Sequence, residues 1–132
     1  MMGVDTNILV RYFAQDDLHQ SATATHLIEQ ACQEEPCLFI NHIVLCELVW
    51  VLTKHYRYPK TKVCEVIEQI LLARQFQVED ENTVCEALTY FKTSSADFAD
   101  CLIGVKNRYA GCHRTLTFDR AAAGLSSFSS LD

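Results

Sequence analysis

Met2-Gly3-Val4-Asp5-Thr6-Asn7-Ile8-Leu9-Val10-Arg11-Tyr12-Phe13 decides how the rest of the chain is read. Met2-Gly3-Val4 is short and apolar, as a buried strand is, and it runs into Asp5-Thr6-Asn7, residues that stop strands and cap helices. Ile8 to Phe13 then continue as a helix. The same succession recurs: Cys37-Leu38-Phe39-Ile40, Phe76-Gln77-Val78 and Arg114-Thr115-Leu116-Thr117 read as strands, each followed by a helical segment. Strands alternating with helices require crossover connections, which are right-handed and make a mostly parallel sheet covered on both faces. The predicted fold is therefore α/β, a three-layer α/β/α sandwich whose ligand chemistry gathers at the carboxyl ends of the strands.

Between the strands the helices show their buried faces. One helix is predicted over 18–32, with a loose apolar face of Ala22, Leu27, Ile28 and Ala31, before Pro36 interrupts. Another runs over 42–56 with Val44, Leu45, Leu48, Val51 and Leu52 at helical spacing. Val63, Val66, Ile67, Ile70 and Leu71 follow Pro59, and Val84, Leu88 and Phe91 mark the next. Phe98, Cys101, Leu102, Val105 and Tyr109 form a clean stripe that Gly111 terminates. A short helix is expected after Asp119, and the Ser-rich tail from Ser126 is expected to be loosely held.

The chain has 132 residues, 49% of them hydrophobic and 21% charged, with four Gly, two Pro and no linker, so one domain over 1–132 is expected. No apolar run reaches the roughly 18 residues of a membrane span, and no basic region precedes an apolar stretch at the start. Seven scattered cysteines without a C-x-x-C pair argue against a disulfide framework or a zinc site and for a reducing, cytoplasmic setting. A net charge of −6 disfavours a general nucleic-acid coating protein, yet an acidic total can conceal carboxylates that hold a cation.

Five acids stand out. Asp5 and Asp119 follow the first and last predicted strands, and Asp97 and Asp100 lie one helical turn apart off the buried face of their helix. Glu47 falls about 40° from Val51 and about 60° from Val44 on a helical wheel, bordering the buried face with no nearby Lys or Arg. Carboxylates brought together repel one another and raise their pKa values unless a cation neutralises them, and oxygen-only ligands suit Mg2+ or Mn2+. Such an ion commonly serves phosphoryl chemistry, which needs no side-chain nucleophile. The chain accordingly has no Ser/His/Asp spacing, G-x-S-x-G or Walker loop.

Met2-Gly3-Val4-Asp5-Thr6-Asn7-Ile8-Leu9, Glu47, Ala96-Asp97-Phe98-Ala99-Asp100-Cys101-Leu102-Ile103 and Leu116-Thr117-Phe118-Asp119-Arg120, in that order, resemble the PIN domain family. Within it the likeness is to the VapC-like toxin ribonucleases of bacterial type II toxin-antitoxin pairs, over almost the whole chain. The resemblance implies a Mg2+- or Mn2+-dependent endoribonuclease, a hydrolase of single-stranded RNA. Asp5, Glu47, Asp100 and Asp119 are then catalytic metal ligands, Asp97 an auxiliary ligand, and Asn7 and Thr117 polar residues that orient the acids. RNA contacts are expected from Arg11, Lys54, Lys106 and Arg120, with Arg57 and Arg108 as further candidates. A homodimer and a VapB-like antitoxin are implied as partners, with Ile8, Leu9, Tyr12 and Phe13, Leu45, Val49 and Leu52, and Trp50 as candidate interfaces. Other readings are a PIN-type RNA-processing nuclease that is not a toxin, a non-catalytic binding module, and an aspartyl-phosphate enzyme. The last wants an acid two residues after Asp5, where this chain has Asn7.

Overall fold

Strand and helix alternate from the first residues of the structure, a computed structural model that describes residues 1–30 and 38–132. The chain forms two units, Met1–Glu79 and Asp80–Asp132. In the first, β1 (Met2–Gly3), β2 (Leu38–Ile40) and β3 (Phe76–Val78) make a sheet in that order. Every pair is parallel, with Met2 opposite Leu38 and Leu38 opposite Phe76. Leu38 and Ile40 of the central strand are fully buried, as expected where helices cover a parallel sheet.

The helices of this unit are α1 (Thr6–Ala14), α2 (Leu18–Gln30), α3 (His42–Trp50) and α4 (Lys60–Leu72). Asp5 caps α1, and Asn41 caps α3 by accepting from the Val44 N–H at 2.9 Å. Leu9, Leu45, Leu48, Leu52, Ile67 and Ile70 are fully buried, each contributing about 1.5–3 kcal/mol of hydrophobic stabilisation. Leu45, Val49 and Leu52 are thus spent on the core, as is Leu9, whereas Ile8, Tyr12 and Phe13 are half-buried and Trp50 stays 63% exposed.

Two expectations for this unit change. On α2 the buried residues are Ser21, Ala24 and Ile28, whereas Ala22 is exposed. Ile28 keeps its expected place, and the small residues Ser21 and Ala24 complete the buried face. Ala31, Cys32, Pro36 and Cys37 lie outside the described residues. The helix expected over 42–56 switches at Val51 to a π-helical segment, Val51–His55, in which Tyr56 N–H reaches back to the Val51 carbonyl at 3.2 Å. The wider turn leaves Val51 only half-buried.

The second unit contains α5 (Glu81–Thr93), α6 (Phe98–Tyr109), β4 (Thr115–Thr117), α7 (Arg120–Ala123) and β5 (Phe128–Ser130). Val84, Ala87, Leu88 and Phe91 of α5 and Phe98, Cys101, Leu102 and Val105 of α6 are buried, as their spacing predicts. Phe91 meets Phe98 edge to face at 5.7 Å. Tyr109, the last residue of the predicted stripe, is 60% exposed and donates its hydroxyl to Glu86. After α6 the chain reverses at Gly111, whose φ of +100° is one that only glycine adopts freely.

The tail is a correction. Residues from 126 onward are not loosely held: β5 pairs with β4 in parallel, Thr115 opposite Phe128 and Thr117 opposite Ser130. Leu125 and Phe128 are buried and anchor the segment, and Gly104 makes room for the Phe128 ring. Both units are thus α/β with parallel strand pairing throughout. Among the described residues no helix is long and apolar enough to cross a membrane.

Candidate active site

The two units repeat one local construction. Asp5 lies two residues beyond β1 and caps α1, and Asp119 lies two residues beyond β4 and caps α7. Extended backbone at each aspartate (ψ 162° and 123°) lets the carboxylate turn back onto the first amides of its helix. Asp5 Oδ1 accepts from the Thr6 N–H at 2.7 Å, and Asp119 Oδ1 from the Ala122 N–H at 2.9 Å. One oxygen of each acid is committed to capping. The other, Oδ2, makes no hydrogen bond among the described residues and is available to a ligand.

In the first unit Glu47, on α3, comes to Thr6. The Thr6 hydroxyl donates to Glu47 Oε1 at 2.7 Å. Thr6 is buried, so this hydroxyl needs a partner, and Glu47 supplies it. Glu47 itself is exposed, which corrects the expectation of a carboxylate bordering the buried face. Ile43, Glu47 and Trp50 share the solvent side of α3, and the partner is a hydroxyl where a cation was sought. Asn7 is exposed and has no hydrogen bond to an acid among the described residues. The residue that touches both acids is Thr6, which stands in the Asp5-Thr6-Asn7 motif but carries no charge to draw notice there.

In the second unit Asp97 is the N-cap residue of α6 and Asp100 lies in its first turn. The half-buried Asp100 carboxyl is pushed above the usual carboxylate range, first by burial, then by the negative charges of Asp119 and Asp97. Asp97 and Asp119 are thus near enough to oppose the ionisation of Asp100. Thr117 Oγ1 accepts from the Asp119 N–H at 2.9 Å, so it orients the backbone of Asp119, leaving the carboxylate to the cap.

In the second unit the donor chemistry fits a hard divalent cation: oxygens only, negative charge concentrated around Asp100, and an unpaired oxygen on Asp119; in the first unit Asp5 likewise keeps one oxygen unpaired. No group of three or more His, Cys, Asp or Glu is drawn together as a ligand set among the described residues. Mg2+ tolerates that, since it keeps several waters and binds through one or two carboxylates plus substrate oxygens.

The basic candidates divide. Arg11 is committed to Asp16, Tyr56 and Gln20 through its Nη1 and Nε, and Arg108 forms an ion pair with Glu86. Lys54, Arg57, Lys106 and Arg120 are exposed, and Arg120 directly follows Asp119.

Comparison with known proteins agrees with this construction. The PIN domain model matches residues 2–126. The chain is also 28% identical over 120 residues to a protein named VapC ribonuclease from Aquifex aeolicus (strain VF5), covering 91% of this chain and 88% of that one. With its strand-following acids and a match that runs nearly end to end, this chain belongs to the PIN domain family.

Proposed function

We propose that the protein is a Mg2+- or Mn2+-dependent endoribonuclease that hydrolyses phosphodiester bonds in single-stranded RNA, and that it is the toxin of a VapBC-type pair. The observation that carries the reading is the half-buried Asp100 in the first turn of α6, whose carboxyl is pushed up by burial and by the charges of Asp119 and Asp97, so that a cation there would relieve it. The similarity to a protein named VapC ribonuclease supports the choice of RNA.

In this reading Asp5, Glu47, Asp100 and Asp119 hold the ion, with Asp97 as an auxiliary ligand. When bound, Mg2+ or Mn2+ lowers the pKa of water and offsets charge on the phosphorus. The chain's own residues position the reactants. Thr6 fixes Glu47 through its hydroxyl and Asp5 through its amide, and the α1 and α7 caps hold Asp5 and Asp119 in one rotamer each. Lys54, Lys106 and Arg120 draw the RNA backbone toward an otherwise acidic protein. Water attacks in line, the P–O3′ bond breaks, and the products carry a 5′-phosphate and a 3′-hydroxyl.

The partners proposed with this function are a second copy of the chain and a VapB-like antitoxin, in the reducing cytosol that seven thiols favour. Ile43 and Trp50, exposed on one face of α3 at 71% and 63%, are the apolar surface offered to a partner. The test is cleavage of single-stranded RNA by the purified chain with Mg2+, with Mn2+ and with EDTA, followed by end-group analysis. Cleavage that persists in EDTA, or products with 2′,3′-cyclic phosphate, would overturn the mechanism.

A further inference from the structure

A cavity of about 340 Å3 opens between α1 and α2 in the first unit. Its apolar part is formed by Ile8, Ala24 and Leu27, and its polar rim by Asn7, Arg11, His19, Gln20 and Thr23. The volume lies at the small end of ligand sites. Asn7 lies two residues after Asp5, so the cavity starts within one helical turn of a proposed metal ligand along the chain.

Arg11, the permanent charge on the rim, is matched by an acid, which bears on the ligand class. Arg11 Nη1 lies 3.3 Å from Asp16 Oδ1, and the Tyr56 hydroxyl donates to Asp16 Oδ2 at 2.6 Å. With its charge matched by Asp16, Arg11 is a poor anchor for a phosphate. Its Nε instead donates to Gln20 Oε1 at 2.7 Å, which fixes the amide and leaves the Gln20 NH2 as an oriented donor. The Asn7 amide, without a hydrogen bond among the described residues, adds a donor and an acceptor. A neutral, flat ligand with apolar faces and an edge of mixed donors and acceptors satisfies all of this. An aliphatic side chain would use neither amide.

We propose that this cavity is a nucleobase subsite, seating one base of single-stranded RNA next to Asp5 and giving the protein a base preference close to the cut. The assignment rests on the ribonuclease reading for its substrate, so its test includes an arm without catalysis. RNA carrying single 4-thiouridine substitutions is photo-cross-linked to the full chain in EDTA, and the linked peptides are mapped. Cross-links are expected within residues 6–30, with a yield that drops about tenfold in Thr23→Trp, whose indole covers the mouth. In Mg2+, Thr23→Trp and Gln20→Ala are expected to level the base preference and raise KM about tenfold, with kcat within about twofold of the parent.

Cross-links found only outside 6–30 overturn the subsite. So does cleavage by Thr23→Trp with unchanged base preference and KM, which hands the cavity to a protein side chain. Cross-links inside the cavity with no cleavage in Mg2+ or Mn2+ uphold the subsite and sink the nuclease reading instead.

Discussion

Thr6 donates its hydroxyl to Glu47 Oε1 at 2.7 Å, and its own amide N–H donates to Asp5 Oδ1 at the same distance. One buried residue therefore sets the positions of two acids that come from α1 and α3. Thr6→Val keeps the shape and removes the hydroxyl. It should lower stability by about 1 kcal/mol, the net worth of one hydrogen bond. It should also reduce kcat for RNA cleavage about tenfold by freeing the Glu47 side chain. Thr6→Ser restores the hydroxyl and should recover most of both in urea melts and cleavage assays.

Asp100 gives a pH-dependent stability of the opposite sense to that of a salt-bridged aspartate. Burial and the charges of Asp119 and Asp97 raise its folded pKa, so its favourable contribution is complete below the unfolded value and lost as pH rises through the folded one. At pH 7 and without divalent ions the ionised Asp100 opposes folding. Asp100→Asn should then melt higher than the parent, by less than about 1 kcal/mol because the group is partly solvated. The difference should vanish as the pH falls toward 4. Adding Mn2+ should stabilise the parent more than the variant and reverse the order, while cleavage in the variant falls about a hundredfold or more.

The strand-to-acid edges were legible because each depends on a few adjacent residues: a short apolar run, then an aspartate able to cap. Asp5 and Asp119 both do so. Glu47 was harder, because α3 is apolar on nearly every side and a helical wheel cannot say which side is buried. Its bond to Thr6 depends on how α1 approaches α3, and no local pattern records that. The tail misled through composition: four serines among residues 126–132 suggest a solvated segment, yet burial of Leu125 and Phe128 decides its structure. The π-helical turn at Val51 has no signature in the side chains around it.

That turn brings Tyr56 to the α1–α2 corner, where its hydroxyl donates to Asp16 and accepts from Arg11. The Tyr56 hydroxyl holds the Asp16 carboxyl below the 3.8 of an ordinary aspartate, and Asp16 in turn raises the Tyr56 phenol above 10.0. The Asp16 contribution is present above 3.8 and lost as pH falls through the lower folded value. The Tyr56 contribution is present below 10.0 and lost as pH rises through the higher one. Tyr56→Phe should therefore be less stable than the parent by a small, constant margin between these limits, as exposed networks are. The margin should narrow at both ends. A margin that does not change at either extreme of pH would mean the hydrogen bond contributes nothing.

Gly104 and Phe128 make the last case. A Cβ built at Gly104 would sit 2.5 Å from Phe128 Cε1 and 3.0 Å from Ser127 Oγ, so the tail packs onto α6 only because position 104 has no side chain. Gly104→Ala should cost about 1–3 kcal/mol through overpacking, despite alanine's better helix propensity. Phe128→Ala opens a cavity and should cost about 3–5 kcal/mol. In the double variant the methyl enters space the ring has left, so the two losses should fall short of additivity by about 1 kcal/mol or more, as for residues in direct contact. Thermal melts of the four proteins measure this coupling. Strict additivity would show that β5 does not rest on α6 in solution, and that the tail is as loosely held as its serines suggest.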